Sequence, residues 1–191
     1  MSAVDLPGDD EIRTLHERFA PDAEAFTLVW THCRIICDIA EQLITDEDRD
    51  LVRAGALLHD IGVYRLAPGE AYLRHGLLGH ELLRSLDLPE PLARICSHHT
   101  GVGITREDVL DQQLPLPPAD YLADTPEETL VMYADKFHSK TSPPRFNTVP
   151  SYAASLARFG PGNTARFEAL VTRYGVPDLH ALAERYGHEV R

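Results

Sequence analysis

Leu57-Leu58-His59-Asp60-Ile61-Gly62 is the stretch on which the reading of this chain turns. The run before it, Leu51, Val52, Ala54, Ala56, Leu57 and Leu58, reads as a largely buried helix, opened by Thr45-Asp46-Glu47-Asp48 with an N-cap and carboxylates in the first turn. Gly62 is expected to stop that helix. An apolar helix that ends on adjacent histidine and aspartate carries two polar side chains toward the interior, and buried polar groups need partners. Neighbouring residues on a helix point about 100° apart, so such a pair can address two different groups at once.

Working outward, the pattern predicts further helices. Between Glu24 and Ile44 the residues Phe26, Val29, Cys33, Ile36, Ala40 and Leu43 step by three and four, one buried face with His32 at its flank. A short helix over Asp9 to Phe19 precedes it, and one through His75 to Leu83 follows the loop at Pro68-Gly69. Pro89 and Pro91 open the next, which runs to His98-His99 and stops at Gly101 and Gly103. Thr105 starts a brief helix, and a longer one is expected from Thr125 to about Lys140. Prolines at 143, 144 and 150 make residues 141–150 irregular, before helices over roughly 151–159 and 163–174 and a C-terminal piece from about Asp178 to Tyr186. No segment alternates with period two, so no strand is predicted. The expected architecture is all-α: a single-domain helical bundle over 1–191, with a core at about 24–140 and a C-terminal helical extension at about 141–191.

Composition narrows the functions. The 191 residues carry 18 Lys and Arg against 30 Asp and Glu, a net charge of −12, which excludes a long nucleic acid held by a basic surface. No run of residues is long and apolar enough for a membrane span, and the three sparse cysteines (Cys33, Cys37, Cys96) form no disulfide framework, so a soluble cytoplasmic protein is expected. Those cysteines read as small buried hydrophobes. Ten histidines are unusual for this length. Most lie between His32 and His138, and His32, His59, His75, His98 and His99 fall in or at the ends of apolar helices, as do Asp60 and Asp135. Imidazole nitrogens with carboxylate oxygens and no thiolates suit Zn, Fe or Mn in a hydrolytic or oxygen-activating centre. His16, His180 and His188 read as surface residues.

The ordered set His32, His59-Asp60-Ile61-Gly62, His75 with Gly79, Ser97-His98-His99-Thr100 and Tyr133-Ala134-Asp135-Lys136 resembles the HD-domain superfamily of metal-dependent phosphohydrolases. It is most similar to the dinuclear, HDIG-type members, over roughly residues 24 to 140. The resemblance implies two divalent metal ions, Fe or Mn, in the core of the bundle. His32, His59, Asp60 and Asp135 would hold the first, and Asp60 would bridge to a second held by His75, His98 and His99. His59 and Asp60 are the catalytic pair so implied. Three positions depart from relatives. Val63 stands where a lysine often follows the motif, and Thr100-Gly101-Val102-Gly103 replaces the GYP signature, which argues against cyclic di-GMP as substrate. Leu28 stands where some members carry a carboxylate for a third metal.

The implied activity is hydrolysis of a phosphoester or phosphoanhydride in a small molecule or nucleotide by a metal-activated water. Bound cations would draw a phosphate even to an acidic protein. Lys136, Lys140, Arg145, Arg65 and Arg74 are the candidate phosphate contacts, with His80 and His138 as further candidates at the pocket. The alternative is a mixed-valent di-iron oxygenase of similar scaffold acting on a small polyol or phosphonate; the adjacent His98-His99 pair resembles the hydrolytic group more closely. Neither the oligomeric state nor the particular substrate is encoded in any motif here.

Overall fold

The computed structural model describes residues 5–159 and 161–191. Ten α-helices are present among them: α1 (Asp9–Phe19), α2 (Ala23–Leu43), α3 (Arg49–Leu58), α4 (His75–Ser85), α5 (Glu90–His98), α6 (Arg106–Asp111), α7 (Pro126–Ala134), α8 (Val149–Leu156), α9 (Pro161–Tyr174) and α10 (Leu179–Tyr186). The side chains of Phe159 and Pro161 lie outside the described residues.

The helices start where side chains can take up free backbone N–H groups. Asp22 accepts from Ala25 N at the head of α2, Asp48 from Asp50 N and Leu51 N at α3, and Thr105 from Asp108 N at α6. The stripe predicted on α2 is buried from Val29 onward, through Cys33, Ile36, Ala40 and Leu43, while Phe26 at its start is only half-buried. On α3 every residue from Ala54 to Leu58 is buried, so this helix is the centre of the core. It packs against α2, α5 and α7, and α4 packs against α5. Cys33, Cys37 and Cys96 are free and buried.

Gly62 does not end α3. The chain passes through His59 in helical conformation and tightens into a 3-10 turn at Ile61–Arg65. What Gly62 supplies is room: a Cβ there would lie 2.0 Å from the carbonyl oxygen of His75 and 2.3 Å from the amide nitrogen of Gly79. Gly76 plays the same part between α4 and α5, where a Cβ would come within 2.6 Å of the Cys96 carbonyl. Both allow the histidine-aspartate turn, α4 and the end of α5 to meet at backbone distance.

Two further expectations are corrected. The helix predicted to reach Lys140 ends at Ala134, becomes a 3-10 turn at Asp135–Phe137, and is extended at His138. Its last carbonyls find another partner: Asn147 donates its backbone N–H to Phe137 O and its side-chain amide to Lys136 O. Strands also exist. β1 (His138–Ser139) pairs antiparallel with β2 (Arg145–Phe146), which pairs parallel with β3 (Glu189–Val190) from the C-terminal tail. Two-residue strands are too short for any alternation to register in sequence. The bundle remains essentially all-α, and this small sheet fastens the tail beside the end of α7.

His16 also departs from expectation. Expected at the surface, it is fully buried between α1 and the end of α3, 2.8 Å from Leu57 O and 3.0 Å from the Tyr64 hydroxyl. Burial pushes it down to about 4, so it is neutral at ordinary pH. His180 is exposed, as expected.

Candidate metal centre

Six of the predicted ligands converge, and five of them sit at helix ends. His32 lies mid-way along α2. His59 caps α3 with Asp60 next to it, His75 is the first residue of α4, His99 caps α5, and Asp135 caps α7. The packing that brings α2, α3, α5 and α7 together therefore brings these groups together.

Asp60 stands between two sets. Its Oδ2 is 3.3 Å from His32 Nε2 and 3.6 Å from His59 Nε2. Asp135 Oδ1 completes this side, 3.0 Å from His32 Nε2 and 3.5 Å from His59 Nε2. The other oxygen of Asp60, Oδ1, is 3.1 Å from His75 Nε2 and 3.5 Å from His99 Nε2. His32, His59 and Asp135 form one group of donors spaced to hold an ion, and His59, Asp60 and His99 another.

The outer edges of the rings settle which nitrogens are available. His59 Nδ1 is 2.7 Å from Ala56 O, His75 Nδ1 2.6 Å from Tyr72 O, and His99 Nδ1 2.7 Å from Cys96 O. A carbonyl oxygen only accepts, so each Nδ1 carries the hydrogen and, in the neutral ring, each Nε2 presents a lone pair inward. Lone pairs thus face lone pairs: His75 Nε2 and His99 Nε2 are 3.0 Å apart, and Asp60 Oδ1 beside them is buried with no hydrogen-bond partner among the described residues. Such a nest is repulsive unless a cation fills it, so the residues present fit a metal.

The electrostatics agree. Burial would raise Asp60, but Lys140, His59 and His75 hold it well below the usual carboxylate range. Asp135 is likewise held low, by Lys136, His32 and His59 against burial. For His59, burial is outweighed by Asp60, Cys33 and Asp135, and the ring is driven well above its ordinary value. The centre of the site draws in positive charge. His99 is lowered to about 4 by burial and stays neutral.

His98 is not part of the cluster, contrary to expectation. Its Nδ1 lies 2.7 Å from Ser97 Oγ and 2.9 Å from Arg94 O, and its ring sits near Tyr121. His98 ends the helix as His99 caps it, and the turn of about 100° between them sends one ring inward and the other aside. His80 is also turned away, with Nδ1 2.8 Å from the same Ser97 hydroxyl and Nε2 3.4 Å from Glu90.

Of the cationic candidates, Lys140 reaches the centre and pairs with Asp60 Oδ2. Lys136 is buried and committed to two acceptors, His99 O and Asp135 Oδ2, each at 2.9 Å, so it ties the ends of α5 and α7 together. Arg145 lines a cleft of about 660 Å³ that opens on Asp135, beside Lys136, Lys140, Ser139 and Thr141. A second cleft of about 290 Å³, walled by Leu73, Val102, Ile104 and Leu114, shares Tyr152 and Ser155 with the first. Arg65 is exposed and Arg74 pairs with Glu70; neither lines these clefts. His138 stands behind His32, its Nδ1 2.8 Å from that ring's Nδ1. Burial, with His32 and His188 alongside, lowers it to about 2. Sequence reasoning missed His188, which lies 2.9 Å from His138 through its Nδ1. Fifty residues separate the two, and no periodicity links them.

Fold and donor set together define a helical bundle built around a histidine-aspartate centre. A family model of the HD domain matches residues 27–140, and the chain belongs to the HD domain family. Over 111 residues, 54% of this chain, it is 41% identical to an uncharacterized protein of Methanocaldococcus jannaschii, covering 62% of it. Over 92 residues, 48% of the chain, it is 42% identical to the tRNA (cytidine(56)-2'-O)-methyltransferase of Picrophilus torridus, of which it covers 25%. The chain therefore spans less than two thirds of the length of these relatives. Its fold is similar to the HD domain of the L. monocytogenes phosphodiesterase PgpH, solved in complex with cyclic-di-AMP. That match has a TM-score of 0.53 and 15% identity, over 94% of this chain and 99% of that one.

Proposed function

We propose that this chain is a metal-dependent phosphohydrolase that cleaves a phosphoester or phosphoanhydride of a small molecule or nucleotide. The observation that carries the reading is Asp60, whose two oxygens face two separate groups of imidazole nitrogens. One divalent ion would be held by His32, His59, Asp135 and Asp60 Oδ2, the other by His75, His99 and Asp60 Oδ1. Nitrogen and carboxylate donors without thiolate favour Fe or Mn. Bound there, the ions would supply an activated water and charge stabilisation at phosphoryl oxygens.

The chain's own residues supply the rest. Carbonyl oxygens of Ala56, Tyr72 and Cys96 fix three ligand tautomers. Lys140, beside Asp60, and Arg145, in the cleft wall, offer positive charge to a phosphate approaching Asp135. The adjoining apolar cleft suits the body of the same molecule. Residues 141–191 act as one unit with the core at 24–140, because they provide the cleft wall around Arg145 and Tyr152. No helix among the described residues is long and apolar enough to cross a membrane, and the three free thiols suit a reducing, cytoplasmic setting.

Purified protein loaded with Mn²⁺ or Fe²⁺ would be assayed against phosphomonoesters, nucleotides and dinucleotides. Turnover is expected with the metal and lost in Asp60→Asn. No turnover above metal-free controls, or oxygen consumption with a polyol or phosphonate instead, would overturn it.

A further inference from the structure

His59, His75 and His99 each rest on a carbonyl oxygen three residues earlier, whereas His32 rests on another ring. Its Nδ1 lies 2.8 Å from Nδ1 of His138, and His138 Nε2 lies 2.9 Å from Nδ1 of His188. The rings of His138 and His188 stack with centroids 5.1 Å apart and planes 18° from parallel, and Phe146 packs its ring against His138.

A ring-to-ring hydrogen bond needs one protonated and one bare nitrogen, and a neutral imidazole has one of each. Three neutral rings in a row then have two consistent arrangements. In the first, His188 donates from Nδ1, His138 donates from Nδ1, and His32 keeps its hydrogen on Nε2, aimed at Asp135. A protonated nitrogen cannot ligate. In the second, His32 donates from Nδ1 to His138, His138 donates from Nε2 to His188, and His188 keeps its hydrogen on the outer Nε2. Only this arrangement gives His32 an inward lone pair beside those of His59, Asp60 and Asp135.

We infer that His138 and His188 are positioning residues that hold His32 in its metal-binding tautomer, with the acceptor nitrogen of His188 as the anchor of the chain. The inference rests on the metal-centre reading above. It also gives the C-terminal tail a role that lies beyond the family match, which stops at residue 140. His188 is half-buried, fixed by its backbone N–H to Ala183 O and by β3 immediately after it, where Arg191 N bonds to Phe146 O. The sheet that holds the tail in place therefore sets the geometry of a ligand on α2.

The test separates hydrogen bonding from packing. His188→Asn keeps an acceptor close to the place of Nδ1 but loses the stacked ring; His188→Phe keeps a ring and loses the acceptor. Zn²⁺ affinity is measured by competition with a chromophoric chelator, with His59→Ala as the control that removes a ligand. The Phe variant is expected to bind roughly tenfold or more weakly, and the Asn variant to stay within about threefold of the unaltered protein. Histidine-ring ¹⁵N spectra of the Zn²⁺-loaded unaltered protein should place the hydrogen of His32 on Nδ1 and that of His138 on Nε2. Unchanged affinity in His188→Phe, equal losses in both variants, or a His138 hydrogen on Nδ1 would overturn the inference while leaving the metal centre standing. An unaltered chain that bound no Zn²⁺, or bound it as well after His59→Ala, would overturn both.

Discussion

Lys140 and Asp60 form an ion pair inside the candidate site, the ammonium resting on the carboxylate oxygen that also faces His32 and His59. Both groups are largely withdrawn from water, and burial, which would lower Lys140, is outweighed by Asp60, so the lysine stays charged. One cation thus already occupies the approach to the first group of donors. On the proposed function, a metal arriving there would compete with it, and the displaced ammonium would be free to meet a phosphate in the adjoining cleft.

Lys140→Met should therefore separate binding from turnover. The expected outcome is metal affinity roughly tenfold higher, equivalent to about 1.4 kcal/mol, together with a raised KM for phosphorylated substrate. Titration with Mn²⁺ and steady-state kinetics on the same preparation check both halves. Weaker metal binding in the variant would mean that Lys140 helps to build the donor set instead of competing for it.

Asp60 and His75 should differ in how many ions they release. Substituting Asp60 by Asn removes a donor shared by both groups, so both ions are expected to be lost on dialysis. His75→Ala touches one group only and should keep the other ion. Metal content by plasma mass spectrometry decides the matter, and equal losses in the two variants would contradict the shared role of Asp60.

Much of this centre is legible in sequence because its donors are tied to helix ends. His59, His99 and Asp135 follow apolar runs whose period fixes where each helix points, and the ordered spacing of His32, His59-Asp60, His75 and His99 survives into space. His98 shows the limit: period alone cannot say which of two adjacent histidines turns inward. The early end of α7 was hidden for a different reason. Local propensity favours helix through Lys140, and only Asn147, together with β2 and a tail some fifty residues away, draws His138 into extended conformation. His188 and buried His16 depend on the same kind of distant contact, which leaves no periodic trace.

His16 gives the fold a pH dependence of known sign. Its pKa falls from an ordinary 6.5 to about 4 on folding, chiefly through burial. Between those values the unfolded chain binds a proton that the folded chain refuses, so stability rises with pH through this window and is lost as pH falls from 6.5 toward 4. The contribution is roughly 3 kcal/mol at most. Urea unfolding across that range should show the slope, and His16→Gln should reduce it. An unchanged slope in the variant would place the dependence on other buried histidines.

Gly62 should tolerate no side chain. In Gly62→Ala the new Cβ would meet two backbone atoms that cannot rotate aside, the His75 carbonyl oxygen and the Gly79 nitrogen. A loss of about 3 kcal/mol is expected, read as a lower urea midpoint. Because the strain falls on the backbone of His75, metal retention should fall with it. A midpoint equal to that of the unaltered protein would mean that α4 and the turn after Asp60 are not held at backbone distance.

Anomalous diffraction from crystals grown with Mn²⁺ tests most directly whether Asp60 stands between two cation sites, as proposed. Two peaks are expected, one against Asp60 Oδ2 with His32, His59 and Asp135, the other against Asp60 Oδ1 with His75 and His99. A single peak that leaves one Asp60 oxygen without metal, or peaks only at His80 and His98, would contradict it.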